Sequence, residues 1–229
     1  MDLGRRTVTA AVYAAAVVSA LAAPPIVFWA LLVIVGILGL VELRELRTGR
    51  PSIALAVVFF AGLAGLGVLR SIGSLAARHG TPEDLPVWLL VAILPTWSAD
   101  VAAYLVGSAL GRRRLAPAIS PGKTWEGTIG GWIACGLAVI AVASVFGMPR
   151  VPLVAIAIGL GPVGLAGDLL ESYVKRRAGV KDSGTILPGH GGVLDRLDSL
   201  TAGVVFILLV LAAFDISQLG HEGGLLERF

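Results

Sequence analysis

Charge is scarce in this chain: Asp, Glu, Lys and Arg make up 14% of its 229 residues, against 56% hydrophobic ones. That balance, with a mean hydropathy of +0.89, excludes a single soluble domain. Cysteine is nearly absent. The lone Cys135 excludes an intrachain disulfide, and its place inside an apolar run makes it a small packing hydrophobe that says nothing about redox compartment. Low-complexity tracts and a convincing internal repeat are also missing, and no soluble domain is expected beside the apolar part. What the chain has instead is one long apolar run after another. A membrane span needs about 20 mostly apolar residues to cross the hydrocarbon layer, and the cost of stranded amides in lipid makes helices the expected answer. The expected fold is therefore all-α, a polytopic transmembrane helical bundle.

Seven spans are predicted, at 7–23, 26–42, 53–70, 86–111, 128–147, 151–173 and 199–214. The fourth run contains Pro95, Trp97, Ser98 and Asp100, so a kinked or split helix there would raise the count to eight. Residues 1–85 then form a set of N-terminal transmembrane helices and 86–229 a catalytic transmembrane domain with a polar, cytoplasm-facing site. With the N-terminus inside, fourteen of the eighteen Lys and Arg residues fall on the inner side, as the positive-inside rule requires. The first run, preceded by Arg5 and Arg6 and containing Ala20-Leu21-Ala22, has some features of a signal peptide. An uncleaved helix is expected, because the run exceeds a signal core and Pro24-Pro25 marks a tight turn into the next span. Gly62, Gly65 and Gly67 fit close helix packing.

Against this background the polar residues concentrate in three groups at one end of the spans. In the first, Asp168, Glu171, Ser172 and Lys175 follow at i, i+3, i+4 and i+7, which puts them on one stripe of a continuing helix. Acids at such depth need a cation, a metal or water. The structural alternative is Asp168 or Glu171 simply paired with Lys175 or Arg176. The second group runs Lys181-Asp182, then Pro188-Gly189-His190-Gly191-Gly192, then Asp195-Arg196-Leu197-Asp198. Glycines let successive amides face a phosphate closely, and Asp195 and Asp198 share a helical face if the last helix begins by Asp195. Hard oxygen ligands of this kind suit Mg²⁺. His190 would contact a phosphate or carry a proton, unless it is only a satisfied loop residue.

The third group is Asp100, Tyr104 and the loop Ser120-Pro121-Gly122-Lys123-Thr124-Trp125-Glu126-Gly127. Lys123 is a candidate phosphate contact. The Gly-Lys-Thr triplet is not a Walker A loop, because Pro117 stands where that pattern needs glycine and no preceding strand is expected. Arg112 to Arg114 read as a juxtamembrane basic cluster facing anionic lipid.

Ser172-x-x-Lys175-Arg176-x(4)-Lys181-Asp182, followed by His190-Gly191-Gly192-x-x-Asp195-Arg196-x-Asp198, resembles the signature of the phosphatidate cytidylyltransferases, or CDP-diacylglycerol synthases. The upstream Ser-Pro-x-Lys-Thr-Trp-Glu-Gly and Asp-x-x-Ala-Tyr elements come in the same order, and residues from about 96 to 200 carry the resemblance. It implies Mg²⁺-dependent transfer of CMP from CTP to phosphatidate, with release of pyrophosphate. Asp168, Lys175, Asp195 and Asp198 would be catalytic. Asp168 and Asp195 would be the principal metal ligands, with Asp198 and Asp182 as ligands or their neighbours, and a second cation could join. Ser172 would place metal or phosphate, and Lys123, Lys175, Arg176, Lys181 and Arg196 would contact phosphates. His190, Gly191 and Gly192 would belong to the nucleotide loop.

Gly122 departs from the resemblance, standing where a lysine is expected, and the N-terminal part is shorter than in many members. The implied partners are CTP, phosphatidate, membrane lipids and a second copy in a homodimer, with no nucleic acid. The implied location is a bacterial inner membrane, with the active site facing the cytoplasm. Competing readings are a CTP-dependent lipid kinase, an archaeal-type lipid cytidylyltransferase, or a cation-coupled transporter using Asp100 and Asp168.

Overall fold

The computed structural model describes residues 15, 17, 19–46, 48–76, 86–148, 150–184 and 191–219. Six helices among them are long and apolar enough to cross a membrane: α1 (Pro25–Glu45), α2 (Arg50–Ala76), α3 (Val87–Leu110), α4 (Trp125–Val145), α5 (Arg150–Arg177) and α6 (Leu194–Leu219). They correspond to the second through seventh predicted spans. The run at 7–23 lies largely outside the described residues, apart from a helical stretch at 19–22 that leads into α1. Outward-facing positions carry Ile26, Ile37, Leu137 and Val145, all more than half exposed. Helices apolar on every side belong in hydrocarbon rather than water.

Local chemistry sets the helix limits. Pro25 opens α1 at its first position, where a missing N–H costs nothing. The turn into α2 uses Gly49 at φ +86°, and Thr48 N donates to Ser52 Oγ at 2.8 Å. The fourth predicted run proves to be one helix, α3, with Pro95 inside it. Thr96 Oγ1 donates back to Ala92 O at 2.7 Å and Ser98 Oγ to Pro95 O at 2.8 Å, which keeps these polar side chains satisfied within the apolar layer.

The expected helical bundle is what the described residues form, with one short non-helical addition. Between α3 and α4 the chain makes a short antiparallel hairpin, β1 (Arg114–Ala116) and β2 (Ser120–Thr124), with Arg114 opposite Thr124 and Ala116 opposite Ser120. Pro117 and Pro121 cannot donate into a helical ladder, so the segment stays extended. Trp125 N closes it onto Arg113 O at 2.9 Å, while Glu126 accepts from the amides of Arg112 at 3.1 Å and Arg113 at 3.2 Å. The expectation that no strand precedes Gly122-Lys123-Thr124 is thus corrected: these residues are the strand. Thr124 then caps α4, accepting from Gly127 N at 3.1 Å.

In the bundle α3 lies along α4, α5 along α6, α2 against α6 and α4 against α5. The expected glycine packing is present. A Cβ at Gly65 would come within 2.6 Å of Val204, and one at Gly167 within 2.6 Å of both Ala202 and Asp198 O. Gly167 therefore sets how closely the acidic ends of α5 and α6 approach.

Pro162 interrupts the ladder of α5 by withholding the N–H that Ile158 O would accept. The indole of Trp132 on α4 supplies it instead, with Nε1 donating to Ile158 O at 2.7 Å. Trp132→Phe removes that donor. The expected cost is about 1–3 kcal/mol, read as a lower unfolding temperature in detergent; an unchanged transition would show that the carbonyl finds another donor.

Candidate active site

The C-terminal half of α5 shows the predicted stripe. Ser172 Oγ donates to Asp168 Oδ1 at 3.3 Å and Lys175 Nζ to Glu171 Oε2 at 3.0 Å. Glu171 is fully buried, and Ser172 and Lys175 nearly so. The structural pairing anticipated for Glu171 is present, yet Lys175 also reaches across to α6, where it forms an ion pair with Asp195 Oδ1. One buried ammonium therefore ties two carboxylates from two helices.

Asp195 is a hub. Its Oδ2 accepts from Gly192 N at 2.7 Å and Ser183 N at 2.9 Å, with Ser183 Oγ 3.0 Å away. Both oxygens are thus engaged by donors of the chain, which makes Asp195 an organiser of the loop. Gly191 adopts φ +81°, and a Cβ there would lie 2.5 Å from Asp195 Oδ2. Only glycine suits both the backbone conformation and the space.

Around this hub the other acids gather. Lys123 Nζ, delivered by β2, forms an ion pair with Asp168 Oδ2. Asp198 lies within electrostatic reach of Asp168 and Asp100 and within hydrogen-bond reach of Glu171, and it accepts from Ser199 N at 2.6 Å. Asp100 on α3 faces Lys123, Asp168 and Arg196. Five carboxylates (Asp100, Asp168, Glu171, Asp195, Asp198) thus gather around three cations (Lys123, Lys175, Arg196), so acids outnumber bases in the cluster. Glu171 Oε1 is buried and has no hydrogen-bond donor.

These two observations fit a divalent cation. Among the described residues no three His, Cys, Asp or Glu side chains converge on one metal position. Mg²⁺ does not need three, since it binds one or two carboxylates and completes its shell with phosphate and water.

The remaining predicted residues spread outward. Arg176 Nε donates to Ile119 O at 3.2 Å and its Nη1 to Val180 O at 2.9 Å, so it fastens the hairpin to the end of α5. Lys181, Asp182 and Arg196 are exposed at the rim. Gly192 is buried beside Asp195. His190 lies outside the described residues.

Two site residues escaped the sequence reading. Ser183 bridges Asp195 and Glu42, and Glu42, at the end of α1, is 2% exposed. The signal for Glu42 was available: an acid closing an apolar run needs a partner.

Beside the cluster, between α3, α4, β2 and α5, lies a cavity of about 840 Å³. Asp100, Lys123 and Ser199 line it together with Ile129, Trp132 and Leu165. The size is typical of a small-molecule site. Charged groups at its wall and apolar side chains elsewhere suit an amphiphile.

The sequence profile of the Cytidylyltransferase family matches residues 52–214. A phosphatidate cytidylyltransferase of Brucella suis biovar 1 (strain 1330) is 42% identical over 162 residues, covering 69% of this chain and 57% of that protein. One from Haemophilus influenzae is 47% identical over 124 residues, 52% of this chain and 43% of the relative. Another from Bacillus subtilis (strain 168) is 46% identical over 129 residues, 56% and 48% respectively. The chain spans about half the length of the curated relatives it matches.

Proposed function

Because the chain belongs to the cytidylyltransferase family, we propose that it transfers CMP from CTP to phosphatidate, giving CDP-diacylglycerol and pyrophosphate. The observation that carries this reading is Lys123, which lines the 840 Å³ cavity with Asp100 and at the same time pairs with Asp168 of the acidic cluster. Cationic and acidic groups at the edge of an apolar chamber are what a lipid phosphate and a nucleotide need together.

In the reaction an oxygen of the lipid phosphate forms a bond to the α-phosphorus of CTP. The bond from that phosphorus to the β-phosphate bridging oxygen breaks, and pyrophosphate leaves with the electron pair. No protein nucleophile is needed, since the attacking oxygen is already anionic. The chain's task is to hold two repelling anions in line and to balance charge on the leaving group. Lys123 sits on a short strand and exchanges Asp168 for a phosphate oxygen. Arg196, exposed at the rim, meets the nucleotide's phosphates. Lys175 stays with Glu171 and Asp195 and keeps α5 and α6 in register.

Asp168 and Asp198 would hold Mg²⁺ in this acid-rich cluster. The ion would supply charge neutralisation on the phosphates. Asp195 and Asp182 are less suited, the first because its oxygens are engaged and the second because it lies on the exposed rim. The site faces the cytoplasm of a bacterial inner membrane, a reading supported by the fourteen-to-four distribution of Lys and Arg. A second cation and a homodimer belong to the same proposal through the family resemblance.

The test is purified protein in detergent with phosphatidate, CTP labelled in the α-phosphate, and Mg²⁺. Label is expected in a liponucleotide, with one pyrophosphate released per product. Release of CDP with no labelled lipid would replace the transferase by a kinase.

A further inference from the structure

We propose that Glu42, carried by α1 outside the family-matched segment 52–214, is a positioning residue that sets the register of the first turn of α6. The inference rests on the transferase reading for its consequence and on geometry for its substance. Glu42 Oε1 accepts from Val193 N at 2.8 Å, and Oε2 accepts from Leu194 N at 3.0 Å with Ser183 Oγ 2.9 Å away. The first amides of a helix have no acceptor within it, and a carboxylate there also meets the favourable end of the helix dipole.

A helix usually draws this cap from its own preceding residues. Here Gly192 and Val193 offer no side-chain acceptor, and Asp195 turns back to Gly192 N and Ser183. The acceptor therefore comes from 151 positions away in sequence. Gly184 and Gly192 make room for it: a Cβ at Gly184 would lie 2.8 Å from Glu42 Oε1, and one at Gly192 would collide with Oε2.

The consequence reaches the reacting end of the site. Ser183 has one proton and two carboxylates beside it, Glu42 and Asp195. Asp195 holds Lys175, Lys175 holds Glu171, and Glu171 lies against Asp198. A polar chain thus runs from α1 through the loop to the carboxylates of α5 and α6. Letting the first turn of α6 drift moves Asp195 and Asp198 together relative to Asp168, and a displacement of about 1 Å in a reacting constellation costs on the order of 10²-fold in rate.

The experiment compares Glu42→Gln, Glu42→Asp and Ser183→Ala with the parent chain in detergent, reading kcat and KM for CTP and amide hydrogen exchange. In Glu42→Gln the new amide group faces a backbone donor, so kcat is expected to fall about 10²-fold, with KM for CTP changed far less. Exchange at Val193 and Leu194 should accelerate while the amides of α2 and α4 keep their protection. Glu42→Asp retains the charge and should recover part of the rate. Ser183→Ala should lower kcat, and adding it to Glu42→Gln should cost less than it does alone.

Parental kcat and parental exchange at both amides in Glu42→Gln would overturn the proposal, and so would uniformly faster exchange in every helix, the mark of a general structural role. If Glu42→Gln yields no folded protein, Ser183→Ala decides: unchanged kcat and unchanged exchange at 193 and 194 overturn it. If the parent chain makes no liponucleotide, the transferase reading falls, and exchange at these two amides alone judges the clamp.

Discussion

Asp198→Asn is expected to separate activity from stability. With one carboxylate fewer to hold the Mg²⁺ proposed to neutralise charge on the phosphates, turnover of CTP and phosphatidate should drop about 10²- to 10³-fold, the scale for losing one preorganised electrostatic group. Folding should not suffer. Asp198 stands within hydrogen-bond reach of Glu171, whose buried Oε1 has no donor, and an asparagine amide can provide one. One buried like-charge contact also disappears, so the unfolding temperature in detergent should hold or rise. A site that gains stability when an acid is neutralised is one that keeps the acid for function. Kinetics with CTP, phosphatidate and Mg²⁺ beside a thermal melt of the same sample check both halves. Full activity would remove Asp198 from the site, and lost activity with a collapsed melt would make it structural.

Lys175→Met should do the reverse and damage the fold first. Its ammonium is the shared partner of Glu171 and Asp195, and Glu171 is fully buried. Taking one member from a buried charge cluster costs about 3–5 kcal/mol, because the charges left behind have lost their solvation and their partner. The variant should accumulate poorly and melt much earlier than the parent chain. Adding Glu171→Gln removes the stranded charge, and the double variant should regain a large part of the stability without regaining turnover. A Lys175→Met protein that melts with the parent would show that the ion pair contributes nothing to the bundle. A double variant no better than the single one would move the burden to Asp195.

These two residues differ because of where their charges are balanced. Lys175 has its compensation inside the protein, from two helices at once. The acids Asp100, Asp168 and Asp198 have Lys123 and Arg196 near them, and under the proposed function they gain further balance when ion and nucleotide bind. The first arrangement is architecture, and the second is the one that the proposed ion and nucleotide would complete. Ser172, donating to Asp168 Oδ1, stands between them by aiming one of these carboxylates.

Hydropathy alone located six helices that the structure contains, because a span is a local property of about 20 consecutive residues. The stripe Asp168, Glu171, Ser172 and Lys175 was legible for the same reason: i, i+3 and i+4 spacing is fixed by helix geometry wherever the helix sits. The hairpin at Arg114–Thr124 was not, since two strands of three and five residues are too short to show alternation. Its prolines, however, already argued against a helix.

Which segment meets which was decided only in three dimensions. Helices apolar on every side have no single buried face to announce a neighbour, so nothing local brings Lys123 to Asp168, Lys175 to Asp195, or Glu42 to the amides of Val193 and Leu194. Those meetings depend on backbones approaching at small residues such as Gly167. The chain's own order thus determined the spans and the kinds of polar group at their ends. Tertiary packing determined which charges are spent on holding the helices together and which, like Lys123 and Asp100, line the cavity.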